Sequence, residues 1–205
     1  MRPVIKSSLL CLSFLICAAT CAAQAGKPQP AAPVAEGDPQ AWKEYSSTEG
    51  RFSISFPGKP SQETKVLEGS DAQVKLNIYR LKTLAEYSVM HADYPIPMND
   101  PAVAKLALDE GAKGAVASIN SELLEINEIT LDGNPGRFLK ERMTGGEILW
   151  VRIFLVGQRM YQIAVTTPRE EGLPAQTVNV YKTAADKFLN SFKLLKEEKP
   201  AGGKP

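Results

Sequence analysis

The chain has 205 residues, with 24 basic residues, 23 acidic residues and a single histidine. This near-neutral balance gives no electrostatic case for nucleic acid or an anionic membrane surface as partner, and one histidine excludes a multi-histidine metal site. All three cysteines (Cys11, Cys17, Cys21) lie in the first 25 residues, so the rest of the chain carries no disulfide, thiolate metal site or cysteine nucleophile.

Arg2 and Lys6 open the chain. Leu9, Leu10, Leu12, Phe14, Leu15 and Ile16 form an apolar block, and small residues follow down to Ala23-Gln24-Ala25. A basic start, a short apolar stretch and an A-x-A site are the layout of a secretory signal peptide, expected over 1–25 with cleavage before Gly26. The apolar run falls short of the roughly 20 residues that span a bilayer. Lipid attachment is the competing reading, but Ala18-Ala19-Thr20 before Cys21 and Phe14-Leu15-Ile16 before Cys17 match it poorly. The expectation is an exported protein, periplasmic or secreted, with no membrane span after the leader.

Residues 26–40 (GKPQPAAPVAEGDPQ) hold four prolines and almost nothing large and apolar. Such a stretch cannot bury enough surface to offset its ordering entropy, so a flexible linker is expected. The tail over 196–205 reads the same way. That leaves one folded domain over 41–195.

Within it, Arg51 to Phe56 alternates apolar and polar until Pro57-Gly58, the pattern of a half-buried strand ending in a turn. Gln73 to Leu81 alternates again, and Ala85 to Asp93 puts Tyr87, Val89 and His91 on one side. Asn99 or Asp100 can cap a helix that Pro101 starts. This helix covers 101–117, and Val103, Leu106 and Ala107 share a face. Leu123 to Leu131 reads as a strand whose parity shifts between Ile126 and Ile129, as at a bulge. A dense turn signal, Asp132 to Gly136, separates it from a strand over Arg137–Arg142. Thr144-Gly145-Gly146 is the next turn.

The strongest pair follows: Ile148 to Val156 and Met160 to Thr167, joined by Gly157-Gln158 as a glycine-first two-residue hairpin. Its register sets Phe154 opposite Tyr161 and Trp150 opposite Val165. Leu149, Val151, Ile153 and Leu155 fill the other face, so the hairpin should be central in its sheet. The last element, after Pro174, is a helix with an apolar stripe of Val178, Tyr181, Ala185, Phe188 and Phe192. The expected fold class is α+β: an antiparallel sheet with two main helices packed on it.

Reactive constellations are sparse. G-x-S-x-G, S-x-x-K, H-E-x-x-H, the D-x-D-x-D-G calcium loop and phosphate-cradling glycine motifs do not occur. Glu122, Glu125 and Glu128 are spaced by three, which scatters them over both faces of a strand and suggests a solvated edge. His91 shares its side with Tyr87 and Val89, as a partly buried histidine would; a site base or single metal ligand beside Asp93 is the sharper alternative. Trp150, Phe154 and Tyr161, with Arg152 and Arg159 among them, read either as core under a helix with arginines at its rim or as an aromatic pocket with a cation. Arg137 could pair with Glu147 across the Thr144 turn. The candidate ligand-binding set is Trp150, Arg152, Phe154, Tyr161 and His91, with no catalytic set, no metal and no cofactor. Three functions fit: a non-catalytic envelope module binding a protein or small ligand, a carrier of an apolar ligand between helix and sheet, and a hydrolase centred on His91.

Several segments resemble an exported bacterial domain type. They are Glu49 to Pro60 (EGRFSISFPGKP), Tyr87 to Pro95, Leu131 to Arg137 (LDGNPGR), Arg152 to Gln162 (RIFLVGQRMYQ) and Phe188 to Phe192. More distantly, the element order is similar to that of PsbP-like domains. The resemblance implies a sandwich of helices around an antiparallel sheet and a non-catalytic accessory or binding role. Pro57-Gly58-Lys59-Pro60 stands where the plant photosystem members tend to carry tryptophan after the proline, so no photosystem role is implied.

Overall fold

The computed structural model describes residues 42–68, 73–95, 98 and 100–196. The expected leader and proline-rich linker, and all of the expected tail except Lys196, lie outside the described residues. The chain runs β1 (Lys43–Ser47), β2 (Phe52–Phe56), β3 (Ser61–Glu68), β4 (Gln73–Lys82), β5 (Glu86–Asp93), α1 (Pro101–Ile119), β6 (Glu122–Leu131), β7 (Asn134–Arg142), β8 (Ile148–Val156), β9 (Arg159–Thr167), α2 (Ala175–Asn190) and β10 (Lys193–Leu194). Seven strands form an antiparallel sheet in the order β3-β4-β5-β9-β8-β7-β6, and β1, β2 and β10 form a second, three-stranded sheet. The fold class is α+β.

Alternation along the strands sorts side chains into two cores, one on each face of the large sheet. Leu149, Val151, Ile153 and Leu155 of β8 join Leu76, Ile78, Met90, Leu139 and Ala164 on the face that carries α1. Phe154 joins Tyr79, Tyr87, Val89, Tyr161, Ile163 and Val165 beneath α2 and β2, whose Phe52, Ile54, Phe56, Phe188 and Leu189 close that side. The β8–β9 hairpin lies at the centre with Phe154 opposite Tyr161 and Trp150 opposite Val165. Gly157 takes φ 63°, the left-handed conformation a glycine supplies without steric cost. Asp100 is the cap chosen at α1: its Oδ1 accepts from the backbone N–H groups of Ala102 and Val103 at 2.8 and 3.1 Å.

Four local expectations change. The turn before β7 is only Asp132-Gly133, both at positive φ (50° and 80°), and β7 starts at Asn134. Gly136 is therefore a strand residue, and a Cβ there would meet the Ile153 carbonyl oxygen at 2.4 Å. The register shift in β6 falls between Leu123 and Glu125 instead of near Ile126. Arg137 turns away from Glu147 and grips Asp109, Nε and Nη2 donating to Oδ1 at 2.9 and 2.7 Å. The fourth change concerns α1, which buries Ala104, Leu108, Gly111, Ala112 and Ala115 and leaves Val103 and Leu106 at 44% and 50% exposure.

The reason for the rotated α1 is electrostatic and steric together. Lys105 and Asp109, one turn apart, reach Glu128 and Arg137 at the β6–β7 edge. That contact fixes the rotation of the helix, and its alanines then sit close to the sheet. Polar strands β1 and β3 and the two-residue β10 lack a periodic apolar signal, so their pairing comes from neighbours.

The Phe188 ring packs edge-on against Phe56 and Tyr87, with centroids 5.0 and 5.1 Å away. Phe188→Ala should cost about 3–5 kcal/mol of stability in urea unfolding. Val103→Ala, on the open side of α1, should change it by less than about 0.5 kcal/mol. Comparable losses at the two positions would refute this assignment of faces.

Candidate functional site

The two faces of the large sheet are covered unequally. α2 packs on β9 and β2 together, whereas α1 packs mainly over β7 and β8. Beside α1, the same face of β4, β5 and β9 forms the floor of a groove of about 590 Å³, walled by Leu67 of β3, the Thr83–Ala85 turn and the Met143–Glu147 stretch. This volume lies within the usual range for small-molecule sites, about 300–1,000 Å³.

The groove is built by strand parity. Leu76 and Ile78 of β4, Met90 of β5, Ala164 of β9 and Leu149 of β8 supply an apolar floor. Arg80, Ser88 and Gln162 interrupt it on the same face. Gln162 is 2% exposed, and its amide Nε2 has no hydrogen-bond partner within the protein. A buried donor left without an acceptor costs roughly 1–3 kcal/mol. Arg80 lies beside Glu86, Nε to Oε1 3.1 Å, without a well-directed hydrogen bond from Nε. Lys65, Lys82, Glu86 and Glu147 complete a rim of mixed charge. The sequence reading passed over these residues. The available signal was Gln162, a polar side chain in the middle of the apolar run Met160–Val165, sharing the face of Met160 and Ala164.

The residues nominated from sequence lie on the opposite face and separate into three settings. His91 and Tyr161 are in the aromatic core. The His91 ring is 1% exposed, stacks on Tyr79 at 6.0 Å between centroids, and meets Phe52 and Tyr161 edge-on or tilted at 6.3 and 6.1 Å. Neither ring nitrogen has a protein partner. Burial, reinforced by the charge of Arg159, lowers its pKa to about 4. The Tyr161 hydroxyl donates to the Gly50 carbonyl at 2.8 Å.

Arg152 and Phe154 border a smaller depression of about 400 Å³ with Asn127, Phe138 and Asp186. Arg152 is committed to the end of α2: Nη1 donates to the Leu189 carbonyl at 3.0 Å and Nη2 to Asn190 Oδ1 at 2.7 Å. Phe154 stacks on Phe192 at 6.3 Å. Trp150 is half-buried with Lys140 Nζ 4.5 Å above its ring, a cation–π contact across β7 and β8.

The other ionisable groups serve the framework. Arg159 makes a bidentate pair with Asp93, both distances 2.6 Å, and donates to the Glu49 carbonyl at 2.7 Å. That hydrogen-bonded guanidinium holds the Asp93 carboxyl below its ordinary range. Glu141 is fully buried, accepts from the Ser121 hydroxyl and has its pKa raised by burial. Glu122 pairs with Arg142 and Glu128 with Lys105, while Glu125 accepts from Asn127, all along an exposed edge strand. Among the described residues no group of three or more His, Cys, Asp or Glu side chains could hold a metal ion, and no helix is long and apolar enough to cross a membrane.

Compared with known proteins, the chain matches no family model and no curated protein. Among solved structures it is similar to the solution structure of cyanobacterial PsbP (CyanoP) from Synechocystis sp. PCC 6803, at 14% identity and a TM-score of 0.47, over 82% of this chain and 99% of that one.

Proposed function

We propose that the protein is an exported, non-catalytic binding module that holds a small, largely apolar ligand in the groove beside α1. The observation that carries this reading is the open, apolar floor of β4, β5 and β9, interrupted by a buried amide with an unused donor. The basic start, apolar block and A-Q-A site of residues 1–25 support export to the periplasm or the exterior. The non-catalytic reading is supported by His91, which is packed among rings away from the groove.

A neutral solvatochromic dye, Nile red, should bind the protein with blue-shifted emission. Ala164→Phe, which places a ring on the groove floor, should weaken that binding at least tenfold while the circular dichroism spectrum stays unchanged. Equal dye binding by the two proteins would exclude the groove as the site.

In this reading His91 is a packing residue, and its effect on stability has a defined sign. The unfolded chain takes up the histidine proton near pH 6.5 and the folded one only near pH 4. Between those values the unfolded state binds more protons, so stability falls as the pH drops from 6.5 to 4, by up to about 3 kcal/mol. Arg159 and Lys75 add to the lowering; Asp93 and Glu49 oppose it. Urea midpoints of His91→Phe should therefore lose most of the wild-type pH dependence in this window while ligand binding persists. An unchanged slope would remove His91 from this role.

A further inference from the structure

The polar residues of the groove floor are neighbours. Arg80 on β4 is directly opposite Ser88 on β5, and Met90 on β5 is directly opposite Gln162 on β9. Ser88 faces Ala164, the next residue of β9 on the same side. Arg80, Ser88 and Gln162 therefore form a diagonal across three adjacent strands, with direct neighbours about 5 Å and diagonal neighbours about 7–8 Å apart. Each is a hydrogen-bond donor: a guanidinium, a hydroxyl and an amide. Two of them, Gln162 Nε2 and Arg80 Nε, are buried without a directed acceptor. Ile78, Met90 and Leu76 continue the floor as an apolar strip on one side of this diagonal.

Resting on the groove being the binding site, we propose that its ligand is a single-chain amphiphile with a carboxylate head. The carboxylate accepts from Gln162 Nε2, the Ser88 hydroxyl and the Arg80 guanidinium. The alkyl chain lies over Ile78, Met90 and Leu76 toward Leu67. The head is anionic because the cluster offers donors and a positive charge: guanidinium and carboxylate match as a planar pair, and hydrogen bonds to a charged acceptor are the strong ones. Lys65 and Lys82 at the rim have the same sign. With Glu86 beside Arg80 the groove still carries one net positive charge, since Lys65, Arg80 and Lys82 outnumber Glu86 and Glu147, and that charge attracts such a head. A cationic head would meet Arg80, and a neutral alcohol would use fewer of the donors.

Calorimetric titration of the delipidated full chain at pH 8 with dodecanoate, dodecan-1-ol and dodecyltrimethylammonium tests this. Dodecanoate should bind at least tenfold tighter than the alcohol, with the ammonium weakest. Decanoate should bind about 15-fold more weakly than dodecanoate, about fourfold per methylene. Gln162→Leu should weaken dodecanoate about tenfold and leave dodecan-1-ol unchanged, and Arg80→Met should do so more strongly. Ser88→Ala, the smallest change, serves if either variant does not fold. Equal binding of dodecanoate and dodecan-1-ol by the wild type, or undiminished dodecanoate binding by the variants, overturns the carboxylate head while the groove stands. Failure of all three probes to bind or to displace Nile red overturns the groove together with it.

Discussion

Burial of the β8–β9 hairpin on both faces is the constraint from which the rest of the structure follows. A strand with apolar side chains on both sides is stable only at the middle of a sheet that is covered twice. Odd-numbered residues of β8 require a cover on one side, Phe154 and the odd-numbered residues of β9 a cover on the other. The other five strands of the large sheet order themselves around this pair, and the two helices divide the faces between them. The aromatic side is closed by α2 and by the small sheet, whose Phe52 touches His91, Tyr79, Tyr161 and Phe192 at once.

The other side has only α1, and α1 is not free to sit at its centre. Arg137, with its side chain almost wholly buried, is held by Asp109, and Lys105 by Glu128, so the helix is drawn toward β6 and β7. Replacing one member of such a partly buried pair leaves the other charge exposed to desolvation without its partner, so the placement is strongly held. The alanines of α1 bring it close to the sheet but give it little breadth. One helix anchored at the far edge cannot also cover β4 and β5. The groove is the geometric remainder of that arrangement.

Much of the framework was legible because hydrophobic periodicity encodes it directly. The β8–β9 register followed from one glycine-first turn and the parity on either side of it. The stripe of α2 was continuous enough to place Ala185 and Phe188 in the core. The face of α1 was not legible, because in an alanine-rich helix nearly every side could pass for the apolar one. What settled it was a pair of ion contacts 23 and 28 residues away in sequence. β3 was missed because an edge strand flanked by solvent needs no alternation: its residues pair with β4 through the backbone, and Val66 remains exposed. The groove was hidden for a related reason. Its lining comes from strands that each look ordinary, and only their register brings Arg80, Ser88 and Gln162 together.

Unpartnered polar atoms alone do not distinguish a site in this protein. His91 has two, and Trp150 Nε1 is another, all on the aromatic face. His91 is surrounded by ring faces and edges and held neutral by burial, so its cost is met by packing. Gln162 differs in what lies before it. Its amide borders an open volume large enough for a ligand, beside a hydroxyl and a guanidinium of the same donor character. An apolar side chain at that position would have completed the floor at lower energetic cost, as Met160 and Ala164 do on either side of it. A donor kept where packing alone would favour a hydrocarbon is therefore best understood through the acceptor it can meet in the groove.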